Sequence, residues 1–86
     1  MRIARTEKFK KAWQQLSEEQ KALARKAIEN LIGDMRHPAL RVKKMKGVEY
    51  IWEARVSRSI RMTFQIKKDF IILRNIGQHD ETLERP

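Results

Sequence analysis

The chain has 86 residues and a net charge of +9, and 41% of its residues are hydrophobic while 36% are charged. This length suits one domain, and the apolar share is large enough for a small core and too large for a disordered tail. Without cysteine, disulfides and thiolate zinc sites are excluded, and no apolar run approaches the ~20 residues that cross a bilayer. We therefore expect a single domain over residues 1–86, located in the cytoplasm, with no membrane partner.

The first third of the chain predicts a short strand and two helices. Residues 1–4 alternate weakly, Thr6 is placed to cap a helix, and Ser17 with Gln20 fits the capping box of a second helix. Apolar residues recur at helical spacing in both: Phe9, Ala12, Trp13 and Leu16, then Ala24, Ala27, Ile28, Leu31, Ile32 and Met35. We expect a helical hairpin over residues 7–36, because only the cap at Ser17 separates the helices.

After Pro38 the apolar period changes from helical to two residues, which indicates strands. One predicted strand has Tyr50, Trp52, Ala54 and Val56 on its core face, and the next has Ile60, Met62, Phe64 and Ile66 there. Residues 70–73 are apolar on both faces and predict a covered strand. The expected fold is therefore α+β: a short N-terminal strand, the helical hairpin, and an antiparallel meander of three to four strands against which the helices pack.

Positive charge is concentrated in the predicted sheet. Residues 41–68 contain nine lysines or arginines and two acidic residues, which leaves +7 of the total +9 in this stretch. A concentrated basic face attracts polyanions, so we expect a nucleic-acid phosphate ligand. The residues predicted to contact the nucleic-acid backbone are Lys43, Lys44, Lys46 and Arg58.

Two arginines stand out in the predicted hairpin, because its register places Arg55 opposite Arg61 on the outward face. Like charges in that position repel by a few tenths of a kcal/mol, so sheet stability does not explain them. An anion bound between them would explain them. The alternative is that both extend into solvent or pair with Glu53 and Glu49.

The two histidines are weaker candidates for a functional site than the arginines. His79 and Asp80 follow the last predicted strand, where a loop exposes side chains, whereas His37 beside Pro38 belongs to another loop. Two histidines cannot build a metal site by themselves, so no metal is expected. Trp52 is suited to stack on a base, but its alternation with the apolar residues of its strand places it in the core.

The chain resembles the RelE/ParE superfamily of bacterial toxin-antitoxin toxins. The resemblance covers nearly the full length and rests on the order of strand, helical hairpin and meander. It includes Lys46-Gly47 before the meander, the stretch Trp52-Glu53-Ala54-Arg55-Val56, the segment Ile60-Arg61-Met62, and the end Ile76-Gly77-Gln78-His79-Asp80.

This resemblance implies a toxin of a type II toxin-antitoxin system that cuts mRNA, on the ribosome or free, without metal or cofactor, and that a cognate antitoxin inactivates. By similarity, Arg61 matches the arginine of the transition state, and His79 matches a position that many ribonuclease members fill with Arg or His. The chemistry would be attack of a ribose 2′-hydroxyl on the neighbouring phosphate, with Arg55 as phosphate clamp and Glu53 as candidate base.

The chain departs from the family pattern where several ribonuclease members carry a tyrosine, because the candidates there are Thr82 and Leu83. His79 must then serve as acid or base, which the ordinary histidine pKa of ~6.5 permits. Two alternatives stay open: a ParE-like inhibitor of DNA gyrase, and a non-catalytic domain that binds nucleic acid or an antitoxin. The combination of Arg61 and His79 favours the nuclease.

Overall fold

A computed structural model describes residues 2–48 and 50–86 of the chain. Its elements are strand β1 (Arg2–Arg5), helices α1 (Glu7–Gln14) and α2 (Glu18–Gly33), a 3₁₀ turn (Pro38–Leu40), strands β2 (Lys43–Lys44), β3 (Trp52–Arg55), β4 (Ile60–Lys67) and β5 (Phe70–Gln78), and helix α3 (His79–Glu84). The predicted α+β architecture of strand, helical hairpin and meander is confirmed. Met1, predicted in the first strand, and Glu49, predicted as an acidic partner, lie outside the described residues.

The five strands form one sheet in the order β1-β5-β4-β3-β2. Strands β2 to β5 pair antiparallel with their neighbours in sequence, whereas β1 pairs in parallel with β5. Because β5 lies between β1 and β4, its apolar run at residues 70–73 is paired on both edges, and Ile71 and Leu73 are buried. The prediction of a covered strand there is confirmed.

Both predicted helix caps are present. The Thr6 hydroxyl accepts a hydrogen bond from the Phe9 backbone N–H at 3.1 Å. At the second helix, the Gln20 N–H donates to Ser17 Oγ at 3.1 Å, and the Ser17 N–H donates to Gln20 Oε1 at 2.9 Å. These reciprocal bonds satisfy backbone donors that a helix leaves unpaired in its first turn, so each helix starts where its cap stands.

Helices α1 and α2 pack on one face of the sheet and build the core there. Its buried members are Phe9, Leu16, Ala24, Ala27, Leu31, Leu40, Ala54, Ile60, Met62, Phe64, Ile71, Leu73 and Ile76. The predicted apolar face of β4 is therefore confirmed, and the alternate residues of β4 lie on the opposite, outward face. The predicted stripe of α2 is wrong at Ile32, which is 45% exposed, and α2 ends at Gly33, so Met35 packs against the core from beyond the helix.

Tyr50 is a correction to the predicted strand. The strand β3 begins only at Trp52, and Tyr50 precedes it with a positive φ of 64° and 68% of its surface exposed. Two-residue alternation holds only along extended backbone, so the turn at Tyr50 breaks the parity that placed it in the core. Ile51 is buried instead.

A register shift in β5 shapes the outward face. Asn75 pairs with Thr63, and Arg74 is the extra residue before pairing resumes. Arg74 Nη1 donates to Gln65 Oε1 at 2.7 Å, and Asn75 Nδ2 donates to the Arg85 carbonyl at 2.9 Å. The bulge thus directs both Arg74 and Asn75 to the outward face.

The end of the chain lies on the same face. The Pro86 carbonyl accepts hydrogen bonds from Thr63 Oγ1 at 3.0 Å and from Arg74 Nε at 3.2 Å. These contacts cover the middle of the outward face with residues 85–86. In the part of the chain that the structure describes, no helix combines the length and apolar character that crossing a membrane requires.

Thr6 connects the first helix to the bulge, since its hydroxyl also donates to the Arg74 carbonyl at 2.9 Å. We predict that Thr6→Ala lowers the free energy of unfolding by about 1–2 kcal/mol in urea denaturation, because it removes both the cap and this bond. Thr6→Ser keeps the hydroxyl and should keep most of the stability. Equal losses in the two variants would show that the hydroxyl is not the stabilising group.

Candidate functional site

The candidate site is built on the outward face of the β3-β4 hairpin. Arg55 pairs directly with Arg61, as predicted, and Arg61 pairs on its other side with Gly77 of β5. Both arginines are half-buried. The structure therefore places two like charges opposite each other on neighbouring strands, in the arrangement that destabilises a sheet.

The side chain of Arg61 is held by the hairpin loop. Its Nη1 donates to the carbonyls of Ser57 at 2.7 Å, Ile60 at 3.1 Å and Arg58 at 3.4 Å. Among the described residues, its Nε and Nη2 atoms have no hydrogen-bond partner. The loop thus fixes one end of the guanidinium and leaves the other donors available to a ligand.

The positive charges around Arg61 outweigh the one carboxylate near it. Burial lowers the pKa of the Arg61 guanidinium, and the positive charges of Arg55 and Arg41 lower it further, while the carboxylate of Glu53 acts in the opposite direction. The positive charge on this face is therefore larger than the negative charge of Glu53 can offset. A bound anion would relieve the excess.

Glu53 pairs with a lysine. It lies opposite Lys43 in the β2-β3 register, and Lys43 Nζ is 3.6 Å from Glu53 Oε1. Glu53 is buried, with 8% of its surface exposed, whereas Lys43 is mostly exposed. The Glu53–Thr63 pair is two positions along the register from the Arg55–Arg61 pair, on the same face, so the carboxylate charge reaches the arginines without a direct ion pair.

The predicted nucleic-acid contacts separate into two groups. Lys43 shares the outward face with Glu53, and Arg58 is exposed in the loop that holds Arg61. Lys44 pairs with Trp52, which packs against the core, so Lys44 lies on the other side of the edge strand. Lys46 is exposed in the turn after β2. The structure thus groups Lys43 and Arg58 with the arginines, and Lys44 apart from them.

His79 is the first residue of helix α3 and not a loop residue, which corrects the sequence-based expectation. Asp80 and Glu81 occupy the first turn of this helix, where negative charge favours helix formation. The His79 backbone N–H donates to the Ser59 carbonyl at 2.8 Å, and its imidazole Nδ1 lies 2.9 Å from Asp80 Oδ1. The imidazole is 48% exposed, next to the loop that holds Arg61.

Thr82 occupies a packing position. It is buried, and a Cβ atom added to Gly77 would stand 3.0 Å from its hydroxyl oxygen. Gly77 therefore allows α3 to approach β5 closely. Thr82 cannot contact a substrate from this position, and Leu83 beside it is half-buried. Across residues 2–48 and 50–86, no group of three His, Cys, Asp or Glu residues is arranged to hold a metal ion.

Comparison with known proteins gives a match in structure only, since no family model and no curated protein matches the chain. YafQ from E. coli strain BL21(DE3) superimposes with a TM-score of 0.77 at 11% identity, over 94% of this chain and 97% of that chain. The RelB-RelE antitoxin-toxin complex from Methanococcus jannaschii gives 0.72 at 18% identity, over 87% and 88%. The intact E. coli RelBE toxin-antitoxin complex gives 0.72 at 16%, over 92% and 96%.

The chain has the RelE-like toxin fold. The resemblance noted in the sequence is thereby confirmed at the level of fold, over more than four fifths of each chain. Arg61 is the second residue of β4, the central strand of this RelE-like sheet, where β3 and β5 flank it and limit its movement. Arg41 was not among the predicted site residues, although its charge acts on Arg61 and its two-residue spacing from Lys43 was a usable signal.

In this RelE-like fold, Glu53 offsets the repulsion among the basic residues around it. We predict that Glu53→Gln lowers the free energy of unfolding on the order of 1 kcal/mol, with a larger loss at low salt, where repulsion is less screened. Glu29→Gln removes an exposed charge from α2 and serves as the matched control. Denaturation at low and high salt measures both, and a loss independent of salt would contradict the electrostatic role.

Proposed function

We propose that this protein, as one domain over residues 1–86, is a toxin of a toxin-antitoxin system that cuts mRNA as a metal-independent endoribonuclease. The observation that carries the proposal is the Arg55–Arg61 pair on the outward face, with Arg61 anchored at one end by the hairpin loop. The RelE-like fold supports the toxin role, since the similar structures are described as toxins or toxin-antitoxin complexes.

The two arginines suit phosphoryl transfer to a ribose hydroxyl. As the 2′-oxygen bonds to phosphorus, the bond to the 5′-oxygen breaks and negative charge grows on the non-bridging oxygens. The free donors of Arg61 bind one of these oxygens and Arg55 binds another, and both bonds strengthen as the charge develops. Because the hairpin loop already orients Arg61, little reorganisation is needed at the moment of reaction.

The ionisable groups near the arginines carry out the two proton transfers, one from the 2′-hydroxyl and one to the 5′-oxygen. His79 donates a proton to the departing 5′-oxygen from Nε2, because Nδ1 faces Asp80. Glu53, whose Oε1 lies 3.6 Å from Lys43 Nζ, accepts the proton of the 2′-hydroxyl. Lys43 and Arg58 hold the RNA backbone on either side, and Lys44 and Lys46 extend the basic surface toward a longer RNA, free or on the ribosome.

We predict that Arg61→Ala lowers RNA cleavage by at least ~100-fold and removes growth arrest on expression, because a donor to the transition state is lost. Arg61→Lys should recover little, since an ammonium lacks the two-pronged geometry. His79→Ala should lower cleavage by roughly 100-fold, the usual scale for a general acid. The assay measures cleavage with and without ribosomes, and Arg36→Ala, at an exposed position outside the site, is the control.

Melting curves show whether a variant loses activity because its chemistry is impaired or because it is unfolded. Arg61→Ala removes no core volume, so it should melt at the same temperature as the wild type. Full cleavage by a well-folded Arg61→Ala variant would contradict the proposed site. A wild-type protein that leaves RNA intact and blocks DNA supercoiling by gyrase would instead favour the ParE-like inhibitor.

We also predict an antitoxin whose acidic segment covers residues 41–68, because neutralising this basic stretch blocks an anion site directly. The similar structures include the RelB-RelE and DinJ-YafQ complexes, which supports a protein partner. The product of the neighbouring gene, the candidate antitoxin, is co-expressed, and its affinity for this protein is measured at several salt concentrations. The affinity should fall as the salt concentration rises. An affinity insensitive to salt would contradict the electrostatic account.

A further inference from the structure

Tyr50 is an exposed aromatic residue in the loop between β2 and β3. Its ring and backbone together are 68% exposed, whereas every other aromatic residue in the described part of the chain is buried or half-buried. The Met45 N–H donates to the Ile51 carbonyl at 2.9 Å, and this bond ties together the two ends of the loop. The hairpin therefore presents the tyrosine to solvent from a closed loop.

The stability of the fold does not explain a tyrosine at this position. The φ of Tyr50 is 64°, in the left-handed region, where a bulky side chain is a rare outlier and costs free energy. An exposed ring also adds little to a hydrophobic core. Because strain of this kind concentrates at binding and active sites, a ligand explains the residue better than packing does.

Tyr50 lines a groove that also contains a lysine. The groove has a volume of about 470 Å³, within the range of small-ligand sites, and its other lining residues are Lys44, Met45, Gly47 and Val48. The groove is open at Gly47, where an added Cβ atom would meet no atom within 4 Å. An aromatic ring, apolar side chains and an ammonium group together suit a nucleobase and the phosphate attached to its nucleotide.

The groove lies at the opposite end of β3 from the arginines of the candidate site. Strand β3 runs from Trp52 to Arg55, which at ~3.4 Å per residue is about 10 Å, and Tyr50 lies two residues before the strand. Lys43 pairs with Glu53 between the two ends. A base in the groove therefore belongs to a different nucleotide from the one whose phosphate the arginines bind.

We propose that Tyr50 stacks on a base of single-stranded RNA and that Lys44 and Lys46 bind the phosphates beside that base. This inference rests on the proposed function and adds a base-binding subsite away from the reacting phosphate. Every base has an aromatic face, so stacking contributes affinity without demanding one sequence. The bases of a duplex already stack on one another, so the subsite selects single-stranded over double-stranded RNA.

The test compares two ligands of equal charge that the protein can bind but not cut. One is an RNA hexanucleotide methylated at every 2′-oxygen, and the other is the same sugar-phosphate chain without bases. Dissociation constants are measured by NMR titration for the wild type, Tyr50→Leu, Tyr50→Phe, Arg61→Ala and the control Leu23→Ala. Leu23 is a large apolar residue of α2 with 44% of its surface exposed, so the control removes exposed apolar surface outside the groove.

Tyr50→Leu should weaken binding of the RNA by roughly 10-fold, the scale of one lost stacking contact, and leave binding of the base-free chain unchanged. Tyr50→Phe keeps the ring and should bind both ligands like the wild type. The slope of log affinity against log salt should be the same for Tyr50→Leu as for the wild type, because no charge is removed. Both variants should melt at the wild-type temperature, and Leu23→Ala should change neither affinity.

Equal weakening of both ligands by Tyr50→Leu would overturn the inference, because the lost contact would then not involve a base. Unchanged binding of the RNA would overturn it as well. An equal loss in Tyr50→Phe would assign the contact to the hydroxyl and contradict stacking. Failure of the proposed function gives a different result, since Arg61→Ala would then bind both ligands like the wild type instead of binding both more weakly.

Discussion

The repulsion between Arg55 and Arg61 is the constraint on which the rest of this structure depends. The β3-β4 hairpin places them opposite each other because Ala54 and Met62, which are buried on the core face, pair one position away. A slip of one residue would bring the arginines into the core and expose the apolar residues, so packing alone fixes the register. The fold therefore maintains an electrostatic cost at the Arg55–Arg61 pair, and the proposed function assigns a bound phosphate to offset it.

The remainder of the outward face leaves the Arg55–Arg61 pair uncovered. The bulge at Arg74 and the pairing of Asn75 with Thr63 provide donors that bind the last two residues of the chain over the middle of the sheet. Gly77 lets α3 pack closely at the end of β5, with His79 beside the hairpin loop. The arginines lie between these covered regions and the edge strand.

Sequence reasoning succeeded where a local rule decides the structure. Two-residue alternation predicted the faces of β4 and the Arg55–Arg61 pair, and capping residues predicted both helix starts. It failed where the structure depends on contacts between residues far apart in sequence or on single backbone angles. The parallel pairing of β1 with β5 joins the two ends of the chain, the bulge at Arg74 depends on the register between strands, and the turn at Tyr50 depends on a positive φ. Helix α3 has only six residues, too few for a helical period to be visible.

The central claim is that Arg55 and Arg61 together bind a phosphate of RNA. A crystal structure of the protein with an RNA methylated at its 2′-oxygens tests this most directly. The account predicts a backbone phosphate in contact with both guanidinium groups, with Arg61 Nη1 still bonded to the Ser57 carbonyl. An RNA bound elsewhere on the molecule, with both arginines facing solvent, would contradict it.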